Sequence, residues 1–494
     1  MNKQQILLSD LFDIMQGSNP AYIHKKGGVE VIIEEKEITG RFKGTWDEKA
    51  FEYVIKFKEC IFKEWYHLGP SKFSSLLNFE DCVFEKGLFW NHLDFGDSFH
   101  FNHCKFLGTV HISSFECFRF SFIDCIFYKT LNLTEGVTKD PEYQILGKKL
   151  FKREGGNLQN IKAEEIILKK NNFAWLTISY HFIGKLEVGS GSYEEGLVVD
   201  SSKATDRYPE VFKDKLINEL RISLEVHDNI GKVTVQNSFI KILELKGDFT
   251  QGNILIDDVE IGKLSFNSFT NSAVVKVLSL KAQGDDSKVE FLSSYLGKIQ
   301  FFNIKFDAFN QIYIDNSHLT EIQTTYVSWP RNITTKDNSP DKLKENYRQL
   351  KMAMKKQEDN FQALIFEQEE MRAYERLLKE KDGDWEERFI LLTNEYSNNY
   401  GKEWITPITW MTIFNVLFFV LIGWSISGQD LHVLNSYLEF PSRFLHLFNP
   451  THQPNLIHEG INNHNIALII DFISRIFSSY FIFQTIRSFR KYAK

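Results

Sequence analysis

The sequence is poor in the features that mark several common classes of protein. It has only ten prolines in 494 residues, and its net charge of −7 gives no basic face for nucleic acid. Five cysteines, an odd number, suit a reducing compartment better than a disulfide framework. The amino terminus lacks the basic start and long apolar stretch of a secretory signal. We therefore expect a folded protein whose main body stays in the cytoplasm and binds no nucleic acid.

The motifs of common enzymes are also missing. Residues 189–196 are rich in glycine but lack the lysine of a Walker loop, and neither a nucleophile elbow nor a His-Glu-x-x-His motif occurs. Four of the cysteines are 21 or 22 residues apart, whereas zinc ligands come in pairs about two to four residues apart. We therefore expect no enzyme: no catalytic residue, no metal and no cofactor.

Phenylalanine, by contrast, is abundant, and many of its 45 residues follow a repeat. A Phe-x-x-Cys-x-Phe motif occurs four times, with its cysteines 22, 22 and 21 residues apart. Its residues are Phe57, Cys60 and Phe62; Phe79, Cys82 and Phe84; Phe101, Cys104 and Phe106; and Phe122, Cys125 and Phe127. In a solenoid, turns stack at one strand spacing, about 4.8 Å, so that equivalent positions form columns. We therefore predict that these rings and thiols form the core columns of a solenoid.

Five-residue steps such as Phe79, Phe84 and Phe89 resemble the pentapeptide-repeat family of bacterial proteins. In that family a central Leu or Phe and a small residue two places earlier both point into a right-handed, four-sided β-helix. The resemblance is specific over residues 51–133 and degenerate elsewhere. It implies a mainly β fold, with a pentapeptide-repeat-like solenoid.

A related pattern, in which apolar residues alternate around a lysine, continues towards residue 325. It occurs in residues 182–188, 239–245, 260–266 and 295–301. Such alternation with a period of two is typical of half-buried strands. We therefore predict a cap at residues 1–29 and one solenoid over residues 30–325, with residues 134–180 as an irregular and partly helical insertion.

Residues 326–400 change to a highly charged helical pattern. Apolar residues recur at steps of three, four or seven positions between 343 and 378, and residues 358–360 offer a cap between two helices. A helical hairpin is therefore the first interpretation, and one long coiled coil is the second. Residues 347–374 resemble the TPR-like hairpin that joins bacterial pentapeptide-repeat bodies to membrane segments.

Residues 401–494 contain two apolar segments that predict a two-span transmembrane domain. The first, 404–429, has no charged residue, and the second, 466–486, contains Asp471 and Arg475. Both are long enough to cross about 30 Å of hydrocarbon. Four cations follow the second segment, at Arg487, Arg490, Lys491 and Lys494. Because cytoplasmic flanks are rich in cations, we predict that both termini lie in the cytoplasm. The family resemblance implies that the membrane is the inner membrane of a bacterium.

Asp471 and Arg475 lie four residues apart and therefore share a helix face. Since unpaired charges are costly in hydrocarbon, we predict that they form an intramembrane polar pair. The pair either locks helices together or lines a pore between subunits. Five histidines in the connection, at 432, 446, 452, 458 and 464, lack the tight spacing of metal ligands.

Together these features predict a non-enzymatic inner-membrane sensor or effector. In this hypothesis the cytoplasmic β-helix recognises an unknown protein or small-molecule partner and is coupled to a homo-oligomeric domain in membrane lipid. One version of the hypothesis includes a pore, as in phage defence by membrane permeabilisation. The alternative is a passive membrane-tethered scaffold for protein interactions. DNA mimicry against gyrase, which the family resemblance also suggests, agrees poorly with the modest net charge and the anchor.

The predicted topology is testable with two reporter insertions. A phosphatase or fluorescent reporter fused after Lys494 is expected to report the cytoplasm, and one inserted near Asn455 the periplasm, because the cations follow only the second span. If both reporters appeared on one side of the membrane, the two-span model would be wrong.

Overall fold

A computed structural model describes most of the chain. The described residues are 4–24, 30–40, 49–138, 144–145, 148–149, 155–189, 191–201, 216–224, 232–380, 385–427, 432, 441–458, 461 and 464–489. The chain divides into two compact units, Met1–Lys336 and Asp337–Lys494.

The first unit is a parallel β-solenoid of about 11 turns, and helices, two of them long and apolar, follow it. The predicted fold class is therefore confirmed. Parallel pairing links equivalent residues of successive turns into one column. This column begins at Ile33 and continues through Phe57 and Val235 to Thr324. Each turn therefore uses the previous turn as the template for its backbone hydrogen bonds.

The amino-terminal half of the solenoid consists of many short strands. They are β1 (Gln4–Leu7), β2 (Ile23–His24), β3 (Glu30–Glu34), β4 (Lys36–Thr39), β5 (Lys49–Phe51), β6 (Val54–Lys58), β7 (Ile61–Phe62), β8 (Tyr66–Leu68), β9 (Ser71–Phe73), β10 (Leu77–Glu80), β11 (Val83–Phe84), β12 (Gly87–Phe95), β13 (Ser98–Asn102), β14 (Lys105–Phe106), β15 (Thr109–Cys117), β16 (Arg119–Ile123), β17 (Ile126–Thr134) and β18 (Val137–Thr138). Helix α1 (Leu8–Met15) follows β1 and buries Leu11 and Met15. Because β1 pairs in parallel with β4, part of the predicted cap is already a strand of the solenoid.

The carboxy-terminal half contains strands of very different length, from two residues to 19. They are β19 (Gln144–Ile145), β20 (Lys148–Lys149), β21 (Gly155–Lys169), β22 (Asn171–Val188), β23 (Gly191–Asp200), β24 (Leu216–Leu224), β25 (Lys232–Phe249), β26 (Asn253–Asn271), β27 (Val274–Leu278), β28 (Lys281–Ala282), β29 (Lys288–Leu292), β30 (Gln300–Phe302), β31 (Gln311–Asp315) and β32 (Gln323–Thr325). The pair β19–β20 is antiparallel and separate from the main sheet.

In the region of the phenylalanine repeat, each turn has four sides. Strands β6, β7, β8 and β9 form one turn, and in the next turn the last two sides join as β12, which bends at His92. The buried residues of that turn are Phe79, Phe84, Trp90 and Phe95. The steps between them are therefore five, six and five residues. Phe89, predicted from strict five-residue steps to follow Phe84 inwards, is instead 39% exposed, because Trp90 takes the inward position.

The two phenylalanines of each motif form the stacked columns of the core. Ring centroids in the column Phe57, Phe79, Phe101 and Phe122 are 4.6–4.8 Å apart. The second column consists of Phe62, Phe84, Phe106 and Phe127, with centroids 4.4–4.8 Å apart. Rings in register at this spacing bury large apolar areas and stack on one another. The phenylalanine content of the sequence therefore follows from the stacking of turns.

The cysteine of each motif sits immediately after a corner. Asp81, which separates β10 from Cys82, has a φ of 55°, and Glu59 and His103 adopt the same left-handed conformation one turn away on either side. The turned backbone aims the Cys82 side chain inwards, where its thiol is fully buried and donates to the carbonyl of Glu80. Burial raises the pKa of the Cys82 thiol well above its usual range, so we expect it to be unreactive.

The predicted insertion at residues 134–180 differs from the structure. Leu158 pairs with Phe122 of the preceding turn, and Ile178 pairs with Leu158, so residues 155–180 are regular strands of the solenoid. The described residues of this range contain no helix. The step of 36 residues between Phe122 and Leu158 shows that the extra chain lies before Gly155. Much of that stretch, 139–143, 146–147 and 150–154, lies outside the described residues.

The second unit is helical. Its helices are α2 (Pro340–Lys356), α3 (Asn360–Glu380), α4 (Trp385–Asn398), α5 (Ile405–Ser427), α6 (Pro441–His446) and α7 (Asn465–Phe489). Glu358 has a φ of 61° between α2 and α3, and Lys351 pairs with Glu370 across them. Helices α2 and α3 therefore pack side by side as two helices rather than continuing as one. Helix α4 was not predicted. Helices α5 and α7 are long and apolar enough to cross a membrane.

The core columns predict a difference between two phenylalanines of one turn. Replacing Phe84 by Ala should lower the free energy of unfolding by about 3–5 kcal/mol, as is usual for a buried aromatic. Replacing Phe89 by Ala, the matched control, should cost much less, because that ring is partly exposed. Urea unfolding of the full chain measures both. Equal losses would contradict the assignment of inward and outward positions.

Candidate functional sites

A ladder of aromatic rings lies on the outer surface of the solenoid. Phe89 pairs in parallel register with His67 and His111, and its ring centroid is 5.4 Å from that of His67 and 4.8 Å from that of His111. The Trp65 ring is 6.0 Å from His67 and 38% exposed. We call Trp65, His67, Phe89 and His111 the aromatic ladder.

The ladder depends on a glycine and on uncharged imidazoles. Gly87 has a φ of 124°, and a Cβ at this position would come within 2.3 Å of the carbonyl oxygen of Thr109 and within 2.9 Å of the Trp65 ring. A larger residue would therefore clash with the neighbouring strand as well as with the tryptophan. Burial lowers the pKa of both His67 and His111, so we expect these rings to be neutral at neutral pH. The result is a strip of flat, uncharged rings on an otherwise polar face. Sequence reasoning missed it because the family resemblance implies that Phe89 points inwards.

The polar pair predicted for the second span forms in the helical unit. Arg475 donates to the Oδ2 atom of Asp471 through Nε at 3.0 Å and through Nη2 at 2.6 Å. Asp471 is 2% exposed. A carboxylate that is buried to this extent needs its acceptor atoms satisfied by charged or polar donors.

His452, from the connection before α7, is the third member of this cluster. Its Nε2 atom is 2.9 Å from Oδ1 of Asp471, and its Nδ1 atom is 2.6 Å from the carbonyl oxygen of Asn449. Both contacts are of hydrogen-bond length, and both partners of the ring are acceptors. The sequence analysis assigned this histidine no role, because its partner comes from a different segment. We call His452, Asp471 and Arg475 the polar lock.

A buried serine hydroxyl lies next to the polar lock in sequence. Ser474, the nearest hydroxyl in sequence, donates to the carbonyl of Asp471 and is fully buried. Among the described residues, no three His, Cys, Asp or Glu side chains come together as a metal centre requires. The lock instead ties the connection to α7. Of the two interpretations of the pair, this geometry favours a lock over the lining of a pore.

A second polar network joins α4 to α7. Asn398 donates to the side-chain oxygen of Gln484 at 2.6 Å, and Gln484 donates to Asn394 at 3.0 Å. Arg487, the one described residue of the four predicted cations, lies 3.4 Å from Glu367 of α3; Arg490, Lys491 and Lys494 lie outside the described residues. The α2–α3 hairpin, α4 and α7 are thus linked by polar contacts within one unit.

The two long helices turn polar side chains inwards and apolar side chains outwards. Between them, the hydroxyl of Ser478 lies 3.1 Å from Oδ1 of Asn415 and 2.9 Å from the carbonyl oxygen of Leu447. The exposed apolar residues include Ile413, Val416, Leu417 and Val420 of α5 and Ile469, Phe472, Ile476 and Phe483 of α7. This distribution is the reverse of a water-soluble helix pair and is typical of helices in lipid.

No protein-family model, curated protein or solved structure matches this chain. The function must therefore be inferred from the arrangement of its own residues.

The polar lock predicts a graded response to changes at Asp471. Asp471→Leu should destabilise the helical unit by about 3–5 kcal/mol, because it leaves the partners of a buried charge uncompensated. Asp471→Asn should cost less, since its amide oxygen can still accept from Arg475 and its amide nitrogen can donate to the Nε2 atom of His452. Replacing all three residues by apolar ones should recover much of the loss. Thermal unfolding in detergent measures the series.

The series also separates a lock of three residues from a simple ion pair. If changing Asp471 and Arg475 to Leu restored stability fully while His452 was kept, the histidine would have no part in the lock. Equal stability of the wild type and Asp471→Leu would exclude any structural role.

Proposed function

We propose that this protein is a non-enzymatic sensor or effector of the bacterial inner membrane, in which the solenoid recognises a partner and α5 and α7 hold the chain in the bilayer. The observation that carries the anchoring is the outward apolar surface of these two helices. In each, only 28% of the most apolar stretch is buried, whereas the core helix of a soluble protein would be mostly buried. Lipid is the medium that stabilises such a surface.

The proposed orientation places both termini in the cytoplasm. The end of α5 at Trp404 lies beside the end of α7 at Phe489, with ring centroids 5.4 Å apart. Arg487 lies at the same end, and three more cations follow it in sequence. Aromatic rings are typical of either membrane interface, and an excess of cations is typical of the cytoplasmic one.

The proposed recognition surface is the aromatic ladder. Exposed aromatic rings are over-represented where proteins bind one another, since they bury a large area with little loss of conformational freedom. The ladder carries no charge at neutral pH, so we propose a protein partner with an apolar or aromatic surface. Contacts from the hairpin to α7, such as that between Glu367 and Arg487, provide a route by which binding could reach the membrane helices.

The recognition surface can be tested with a photo-crosslinking amino acid at two positions. The crosslinker at Phe89 should form a discrete adduct in intact cells, and the adduct should disappear when Trp65 and His111 are changed to Ala. The matched control is the crosslinker at Lys72, an exposed residue of strand β9 whose side chain is 56% exposed. Equal adducts at both positions would contradict recognition by the ladder.

A flux assay separates an anchor from a pore. The full chain reconstituted in liposomes should leave them impermeable to ions, because Asp471 is buried and already paired with His452 and Arg475. Ion flux that changes its selectivity in Asp471→Asn would instead support the pore-forming version, with assembly into a homo-oligomer. If the liposomes stayed impermeable to ions even after the partner was added, the passive scaffold would be favoured.

A further inference from the structure

Helix α4 carries an exposed apolar stripe that the anchor and the ladder do not explain. Trp385, Phe389, Leu392 and Tyr396 follow one another at steps of four, three and four residues and therefore share one face. They are 74%, 60%, 45% and 63% exposed. We call these four residues the α4 stripe.

The other side of α4 explains why the helix holds a fixed orientation. Leu391 packs in a buried cluster with Leu378 and Tyr400, and Asn398 is fully buried in its contact with Gln484. The helix is therefore attached to the rest of its unit through one face. Its stripe is presented outwards.

The stripe continues into a groove between α4, α5 and α7. The groove has a volume of about 380 Å³ and an almost wholly apolar lining. Its lining includes Leu392, Tyr396, Trp410, Phe414, Phe477 and Phe481. Leu392 and Tyr396 belong to both the stripe and the groove, so the two form one continuous apolar surface.

The apolar surface formed by the α4 stripe and the groove lies beside the two long apolar helices α5 and α7, and this position indicates which partner it contacts. Trp410 of α5 donates from Nε1 to the carbonyl oxygen of Tyr396 at 3.1 Å, which holds α4 beside the second turn of α5. Phe414 and Phe477 of the groove belong to the two apolar helices themselves. Tryptophan and tyrosine are enriched where a protein meets the interface between headgroups and acyl chains.

We propose that the α4 stripe and the groove bind phospholipid of the cytoplasmic leaflet. In this arrangement α4 lies along the membrane surface with its stripe among the acyl chains, as amphipathic interfacial helices do, and one acyl chain enters the groove. The inference rests on the proposed anchoring by α5 and α7. A second copy of the chain could cover the stripe, but the groove is built from span residues at the depth of the lipid.

Spin labels on engineered cysteines test the depth of α4 in the full chain. The five native cysteines are fully buried, so a label should attach to a new exposed cysteine. The stripe variant is Phe389→Cys, the matched control is Glu386→Cys on another exposed face of α4, and the anchor control is Val416→Cys on the outer surface of α5. The chain is placed in nanodiscs of phosphatidylcholine and phosphatidylglycerol. Collisions with oxygen report lipid, and collisions with a water-soluble nickel chelate report water.

The inference predicts that oxygen dominates at positions 389 and 416 and that the nickel chelate dominates at position 386. If oxygen collisions dominated at position 416 but collisions with the nickel chelate dominated at position 389, the lipid contact of α4 would be overturned and the anchoring would stand. If collisions with the nickel chelate dominated at both 389 and 416, the anchoring would be overturned as well. An immobile label at 389, shielded from both reagents, would show that protein covers the stripe and would also overturn the inference.

Native mass spectrometry of the full chain, released from the same nanodiscs, tests the groove. Leu392→Trp should fill the groove and reduce the number of retained phospholipids by one, whereas Ile390→Trp, on the same helix but outside the groove lining, should not. An unchanged number in Leu392→Trp would overturn the groove as an acyl-chain site.

Discussion

Parallel hydrogen bonding between successive turns is the constraint on which the first unit depends. It places each residue over its counterpart one turn earlier, at a spacing of about 4.8 Å. In the core, this repetition favours residues that stack well on the same residue type in the next turn, and the phenylalanine columns meet this requirement. Outside, the same repetition aligns Phe89 with His67 and His111. The core and the proposed recognition surface therefore have one physical origin.

The helical unit depends on a different constraint, because its polar groups are removed from water. His452, Asp471 and Arg475 satisfy one another within a few ångströms, and Asn398 and Gln484 do the same near the other end of α7. A buried polar group without a partner is costly, so these contacts fix the positions of the connection and of α4. On α5 and α7 the outward surface is left to apolar side chains, which makes these two helices apolar enough to cross a membrane.

The sequence predicts those parts of the structure that repeat along the chain or that form between residues close together in sequence. A 22-residue period is visible in the cysteines, and the helical hairpin follows from neighbouring residues. The wrong position of Phe89 came from assuming equal sides, whereas the sides alternate between five and six residues. The contact of His452 with Asp471 escaped prediction because the two residues are 19 positions apart and neither segment alone indicates it. The α4 stripe also escaped, since its charged neighbours hide the apolar spacing.

The account depends most directly on whether α5 and α7 are embedded in a bilayer. Washing cell membranes with alkaline carbonate separates embedded proteins from attached ones. The account predicts that the full chain stays in the membrane pellet and that a chain ending at Tyr400 appears in the supernatant. Release of the full chain by carbonate would contradict it.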